Sequence, residues 1–154
     1  FFMIKILFIC HGNICRSPMA EFVMKDLVQK ANLQDKIYIE SAATSTEELG
    51  NGMHRGTVTK LRQENIPFTN HRARQITAQD YNTFDYLIGM DQENLYYMEK
   101  RWPNDTDHKI SLLLEFANLC RAIADPWYTG NFDKTYADIQ FGCQALLEKI
   151  KERI

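Results

Sequence analysis

The stretch Ile4-Lys5-Ile6-Leu7-Phe8-Ile9-Cys10-His11-Gly12-Asn13-Ile14-Cys15-Arg16-Ser17-Pro18 decides the reading of this chain. Ile4–Ile9 is an apolar run broken only by Lys5, the pattern of a strand buried on both faces. A Gly/Asn turn follows, and Ser17-Pro18 reads as a helix start, with serine at the N-cap and proline at the first helical position. Met19, Phe22, Val23 and Leu27 then recur at helical spacing to about Lys30.

Further strands are expected at Ile37–Ser41, at Asp85–Met90 and, with a helix start as the competing reading, at Lys109–Leu114. Helices are expected over Thr57–Glu64, over Glu93–Lys100, and along a C-terminal stripe of Phe132, Tyr136, Ile139, Cys143, Leu146, Leu147 and Ile150. Strands alternating with helices imply an α/β domain with a mostly parallel sheet. In such sheets ligands bind beyond the carboxyl ends of the strands, where strand order reverses. No repeat or linker divides the 154 residues, so one domain over 3–154 is expected, with Met3 as its start and Phe1 and Phe2 additional to it.

Hydrophobic residues make up 45% and charged residues 25%, as in soluble globular proteins, and the net charge of −2 argues against nucleic-acid or membrane partners. No run approaches the ~18 apolar residues of a membrane span. Cys10, Cys15, Cys120 and Cys143 show no CxxC zinc spacing, and a cytoplasmic location with reduced thiols is expected. Cys120 and Cys143 read as core residues.

The turn after the first strand reads C-x5-R-S. A loop ending at a helix N-terminus presents free N–H groups and the positive end of the helix dipole, which suits a tetrahedral dianion. Gly12 and Asn13 are residue types that tolerate positive φ, as a curled nest of amides requires. Arg16 supplies a planar fork for two phosphate oxygens, and Cys10 at the strand end would sit beneath the phosphorus as a thiolate nucleophile. Asp125-Pro126, in a turn-rich loop before the final helix, offers a general acid that then serves as base toward water; a plain Asp-Pro turn is the competing reading.

These segments resemble the low-molecular-weight protein tyrosine phosphatase family, whose signature is C-x-G-N-I-C-R-S-P. The resemblance continues through Glu40-Ser41-Ala42, His71-Arg72-Ala73-Arg74-Gln75, Phe84-Asp85-Tyr86, Met90-Asp91 and Asp125-Pro126-Trp127-Tyr128. It implies a four-stranded parallel sheet with helices on both faces, a phosphotyrosine protein substrate, phosphate as product, a monomer, and neither metal nor cofactor. It also implies a phosphocysteine on Cys10, a phosphate clamp in Arg16, a general acid in Asp125, and Ser17 stabilising the departing thiolate. His11, Gly12, Asn13, Ile14 and Cys15 would complete the phosphate loop, with Trp127 and Tyr128 walling the cleft. Ser41, His71 and Asp91 would brace the loop, Ser41 through Asn13, and Arg74 would belong to the framework with His71.

His11 stands where the family usually has leucine or another residue without a titrating side chain; its side chain is expected to point away from the phosphate as a tolerated variant, and the competing reading is that it adds positive potential at the loop. Cys15 would trap an oxidised Cys10 as a reversible disulfide. Glu47, Glu48, Leu49 and Asn51 would border the cleft; a solvated loop is their default reading, and a preference for basic flanking residues the sharper one. Tyr96, Tyr97 and Trp102 read as partial core or surface aromatics.

An arsenate reductase shares loop and fold but needs a redox cysteine pair near mid-chain, and Gln75–Lys109 has no cysteine. A protein-arginine phosphatase would carry threonine at Ile14 and lack the aromatic pair. A phosphocysteine carrier of sugar transport would need neither Arg16 nor Asp125.

Overall fold

The computed structural model describes residues 3–154; Phe1 and Phe2 lie outside the described residues. Strand β1, Ile4–Cys10, is the middle of the protein. It pairs in parallel with β2, Ile37–Ala43, on one side and with β3, Tyr86–Gly89, on the other; β4, Ile110–Leu112, adds to β3. The order β2-β1-β3-β4 reverses direction at β1, so the open crevice lies at the carboxyl end of that strand, where Cys10 sits.

Side chains alternate across β1, as a pleated strand requires. Ile4, Ile6, Phe8 and Cys10 join one apolar cluster with Met19, Val23, Leu61, Ile139 and Leu146. Leu7 and Ile9 face a second cluster with Phe84, Leu87, Met98 and Trp102. The first cluster is covered by α1 (Arg16–Lys30), α2 (Arg55–Gln63) and α6 (Phe132–Lys151). The second is covered by α3 (Asp80–Thr83) and α4 (Gln92–Arg101). Helices on both faces of a parallel sheet make the three layers expected from the sequence. No helix among the described residues is long and apolar enough to cross a membrane.

Three expectations are corrected. Helix α1 begins at Arg16, with Cys15 rather than Ser17 at its N-cap, and the Cys15 carbonyl accepts the Met19 amide at 3.2 Å. Pro18 is thus inside the first turn, where its missing N–H still costs nothing, and the Ser17 hydroxyl is released for other work. The fourth strand stops at Leu112, because Leu113–Ala117 turns into a 3-10 helix ended by Asn118 at φ 62°. Cys120 is exposed rather than core, lying in the loop beyond that turn, while Cys143 on the α6 stripe is fully buried and its thiol is pushed up by desolvation.

Candidate active site

The loop from Cys10 to Arg16 leaves β1 and curls into α1 around one residue in the left-handed region, Asn13 at φ 59°. Asparagine tolerates that conformation better than most residues, and here its side chain also ties the loop together. Asn13 Oδ1 accepts the Arg74 amide at 3.2 Å, and Nδ2 donates to Ser17 Oγ at 2.8 Å and to Ser41 Oγ at 3.0 Å. His71 Nε2 meets the Asn13 carbonyl at 2.8 Å. Gly12 lies outside the left-handed region; its lack of a side chain matters through space, since a Cβ there would come within 3.3 Å of Glu48 Cγ.

The direction of this hydrogen-bond chain follows from its far end. Ser41 Oγ donates to Glu21 Oε1 at 2.6 Å, a carboxylate oxygen that can only accept, so Ser41 must accept from Asn13. Ser17 Oγ likewise accepts from Asn13, which leaves its own proton for Cys10 Sγ at 3.1 Å in preference to the longer 3.4 Å contact with the Ala42 carbonyl. The Ser17 amide, in the first turn of α1, points at the same sulfur from 3.4 Å. A thiolate here would be met by a hydroxyl, an amide and the positive helix end together. Glu21 was not singled out in the sequence; its position four residues after Ser17, on the same helix face, was the available signal.

Arg16 is 2% exposed. Nη1 donates to Asp91 Oδ2 at 2.7 Å and to the Ile123 carbonyl at 2.9 Å; Nη2 reaches Asp125 Oδ2 at 3.4 Å. Burial opposes its charge, but Cys10, Asp91 and Asp125 outweigh that and hold its pKa above the ordinary guanidinium value. Asp91 is fixed from the other side as the N-cap of α4, accepting the Asn94 amide at 2.8 Å in a capping box.

Asp125 caps the short α5, Pro126–Thr129, accepting the Trp127 amide at 3.0 Å. The loop carrying it is anchored at several points. The Ile123 amide donates to the Met90 carbonyl at 2.9 Å, Thr135 Oγ1 donates to the Ala124 carbonyl at 3.1 Å, and Arg121 forks onto Asp138 at 2.9 and 3.0 Å. These contacts bring a residue more than a hundred positions away to the end of β1.

Cys10, Arg16, Asp125, Trp127 and Tyr128 line one cleft, together with Ile14, Cys15 and the 47–48 loop. Trp127 and Tyr128 are 58% and 84% exposed, leaving aromatic faces available at its wall. Cys15 is buried, and desolvation followed by the nearby Cys10 and Asp125 charges pushes its thiol up to about 12. His11 is among the residues lining the cleft, and its ring Nε2 donates to Glu47 Oε2 at 2.5 Å, with Glu93 3.7 Å from Nδ1. Glu48 also lines the cleft, whereas Leu49 is simply exposed. Trp102 is buried beneath α3 and α4, and Tyr96 and Tyr97 stand on the surface.

A cysteine and an arginine joined by a loop at a helix N-terminus, facing a carboxylic acid, define a class of cysteine-based phosphate-handling enzymes. Residues 5–154 match the model for the low molecular weight phosphotyrosine protein phosphatases, and the chain belongs to that family of enzymes. The low molecular weight protein-tyrosine-phosphatase YfkJ of Bacillus subtilis is 41% identical over 152 residues, spanning 97% of each chain. The YfkJ crystal structure superposes with a TM-score of 0.95 over 99% of this chain and 98% of that one. The low molecular weight protein-tyrosine-phosphatase PtpA of Staphylococcus aureus strain MRSA252 is 38% identical over 149 residues, covering 96% of this chain and 94% of the relative. A drosophila arginine phosphatase shares the fold at TM-score 0.86 and 35% identity over 96% of this chain and 98% of its own.

Proposed function

We propose that this protein hydrolyses phosphotyrosine in proteins, and small aryl phosphates, through a phosphocysteine on Cys10. The Cys10 thiolate attacks phosphorus in line while the bond from phosphorus to the tyrosine oxygen breaks. Arg16 and the amides of residues 11–16 hold the three equatorial oxygens, and protonated Asp125 gives its proton to the departing phenoxide. The Asp125 carboxylate then takes a proton from water, whose oxygen attacks the phosphocysteine. Inorganic phosphate leaves, and Ser17 stabilises the regenerated thiolate.

The observation that carries this reading is the approach of Ser17 Oγ and N to Cys10 Sγ, at 3.1 and 3.4 Å, at the base of a cleft shared with Arg16 and Asp125. The choice of tyrosine over phosphoarginine rests on apolar Ile14 in the loop and on the exposed rings of Trp127 and Tyr128, on which an aryl group can stack. We further assign the work to a single domain over 3–154 acting as a cytoplasmic monomer, without cofactor or metal, with Cys15 guarding Cys10 against over-oxidation.

The test is turnover of p-nitrophenyl phosphate without added metal by the parent, Cys10→Ser and Asp125→Ala. Turnover by the parent, none by Cys10→Ser, and a loss of about 10²–10⁴-fold in Asp125→Ala are expected. An inactive or metal-dependent parent would refute the mechanism, and preference for a phosphoarginine peptide over a phosphotyrosine peptide would refute the substrate.

A further inference from the structure

His54 lies outside the cleft, yet it touches two of the elements that form it, the phosphate loop and α5. Its amide donates to the Ile14 carbonyl of the phosphate loop at 2.9 Å. Its Nδ1 accepts the Gly56 amide at 2.9 Å, capping the N-terminus of α2. A ring nitrogen that accepts carries no proton, so the hydrogen of the neutral imidazole is on Nε2. The ring stacks on Phe132 with centroids 5.3 Å apart and planes at 23°, and it meets Trp127 edge-on at 5.6 Å and 78°.

Phe132 is itself confined, because a Cβ on Gly56 would lie 2.3 Å from its Cζ. The ring therefore fills the space that glycine leaves open and stacks on His54, which in turn meets Trp127. Trp127 needs that support. It belongs to a four-residue helix, far too short to hold its own geometry, and the residue is 58% exposed.

We propose that His54 is a positioning residue for substrate binding, holding the Trp127 wall at a fixed distance from the phosphate loop. This rests on the reading of the cleft as an aryl-phosphate site. The backbone bond to Ile14 sets His54 against the loop, and the ring transmits that position to the wall. Substrates that carry an aryl group should feel its loss, while inorganic phosphate, which occupies only the loop, should not.

Two substitutions separate the ring from the cap. Asparagine at 54 can still cap α2 but has no ring; phenylalanine keeps the ring and loses the acceptor. His54→Asn is expected to raise KM for p-nitrophenyl phosphate and for a phosphotyrosine peptide about 3- to 10-fold. It should leave kcat and the inhibition constant of inorganic phosphate within about twofold, with an unchanged melting temperature. His54→Phe should keep KM within about twofold and melt a few degrees lower. In a Trp102→Phe background, Trp127 emission should lose anisotropy in His54→Asn and keep it in His54→Phe. Parent-like KM and anisotropy in His54→Asn would overturn the inference, as would a rise in the phosphate inhibition constant parallel to KM. The fluorescence arm needs no turnover, so an inactive parent would sink the proposed function and leave this inference to be judged on anisotropy alone.

Discussion

Asp91 binds Arg16 with one oxygen, at 2.7 Å, and caps helix α4 with the other, at 2.8 Å. The cation at the base of the cleft is thereby aimed by a residue whose own position is set by the start of a helix. The two tasks can be separated. Asp91→Asn keeps a good capping oxygen but replaces the charge facing Arg16, so its melting temperature should stay near that of the parent while kcat/KM falls about tenfold. Asp91→Ala should lose both, with a cap worth about 1 kcal/mol lowering the melting temperature by roughly 2–4 °C. Equal melting temperatures for the two variants would refute the capping argument, and parent-like kcat/KM in Asp91→Asn would refute the aiming argument.

The Ser17 proton is directed at Cys10 because Asn13 donates to Ser17 and Glu21 fixes the sense of the chain through Ser41. A hydrogen bond to a charged group contributes about 1.5–3 kcal/mol. Ser17→Ala is therefore expected to lower kcat for p-nitrophenyl phosphate about 10- to 150-fold, with the folded state intact by circular dichroism. If stopped-flow and steady-state rates in Ser17→Ala match the parent, the serine does not stabilise the thiolate.

The site's two chemical poles were unequally legible in the sequence. The loop announced itself because Cys10, Asn13 and Arg16 act through local geometry: strand end, left-handed residue and helix start are adjacent in the chain. Asp125 was ambiguous with a plain turn, since its placement depends on long-range ties from Ile123 to Met90 and from Arg121 to Asp138. His54 left no sequence signal at all, because a histidine cap stacked on Phe132 and Trp127 exists only once α2, α5 and α6 have met. The start of α1 was misplaced for a related reason. Ser17 is a good N-cap by propensity, but the helix reaches back to Arg16 and the Ser17 hydroxyl is claimed by Cys10 and Asn13. The apolar run of β1, by contrast, is legible as a strand because both of its faces are covered.

Cys10 and Cys15 line the same cleft, and the Cys15 thiol, raised to about 12, remains protonated at neutral pH. Peroxide should therefore oxidise Cys10 first, giving its sulfenic acid and expelling hydroxide. The Cys15 thiol then condenses with that sulfenic acid to form a disulfide and water. After a peroxide pulse and dithiothreitol, the parent should recover most of its activity. Cys15→Ser should recover far less, with sulfinic Cys10 visible by mass spectrometry as a gain of two oxygens. Equal recovery in both would remove the protective role.

The tie between the Asp125 loop and α6 also predicts how stability depends on pH. Arg121 forks onto Asp138, and that hydrogen bonding holds the Asp138 pKa below its ordinary value despite the opposing effect of burial. A carboxylate whose folded pKa is depressed binds fewer protons when folded than when unfolded. Its stabilisation is fully present above the unfolded value, about 3.9, and disappears as pH falls through the lower folded value. Asp138→Asn keeps the shape but not the charge, so it should be less stable than the parent in urea at pH 7. The gap between the two should narrow below pH 4 as the parent loses the contribution that the variant never had. Adding salt should close part of the gap at pH 7, because the Arg121 side chain is 47% exposed even though Asp138 is only 8% exposed. A gap that stays constant from pH 7 to pH 3 would mean that Asp138 acts through packing alone, and the loop that carries Asp125 would then owe its position to Ile123 and Thr135 instead.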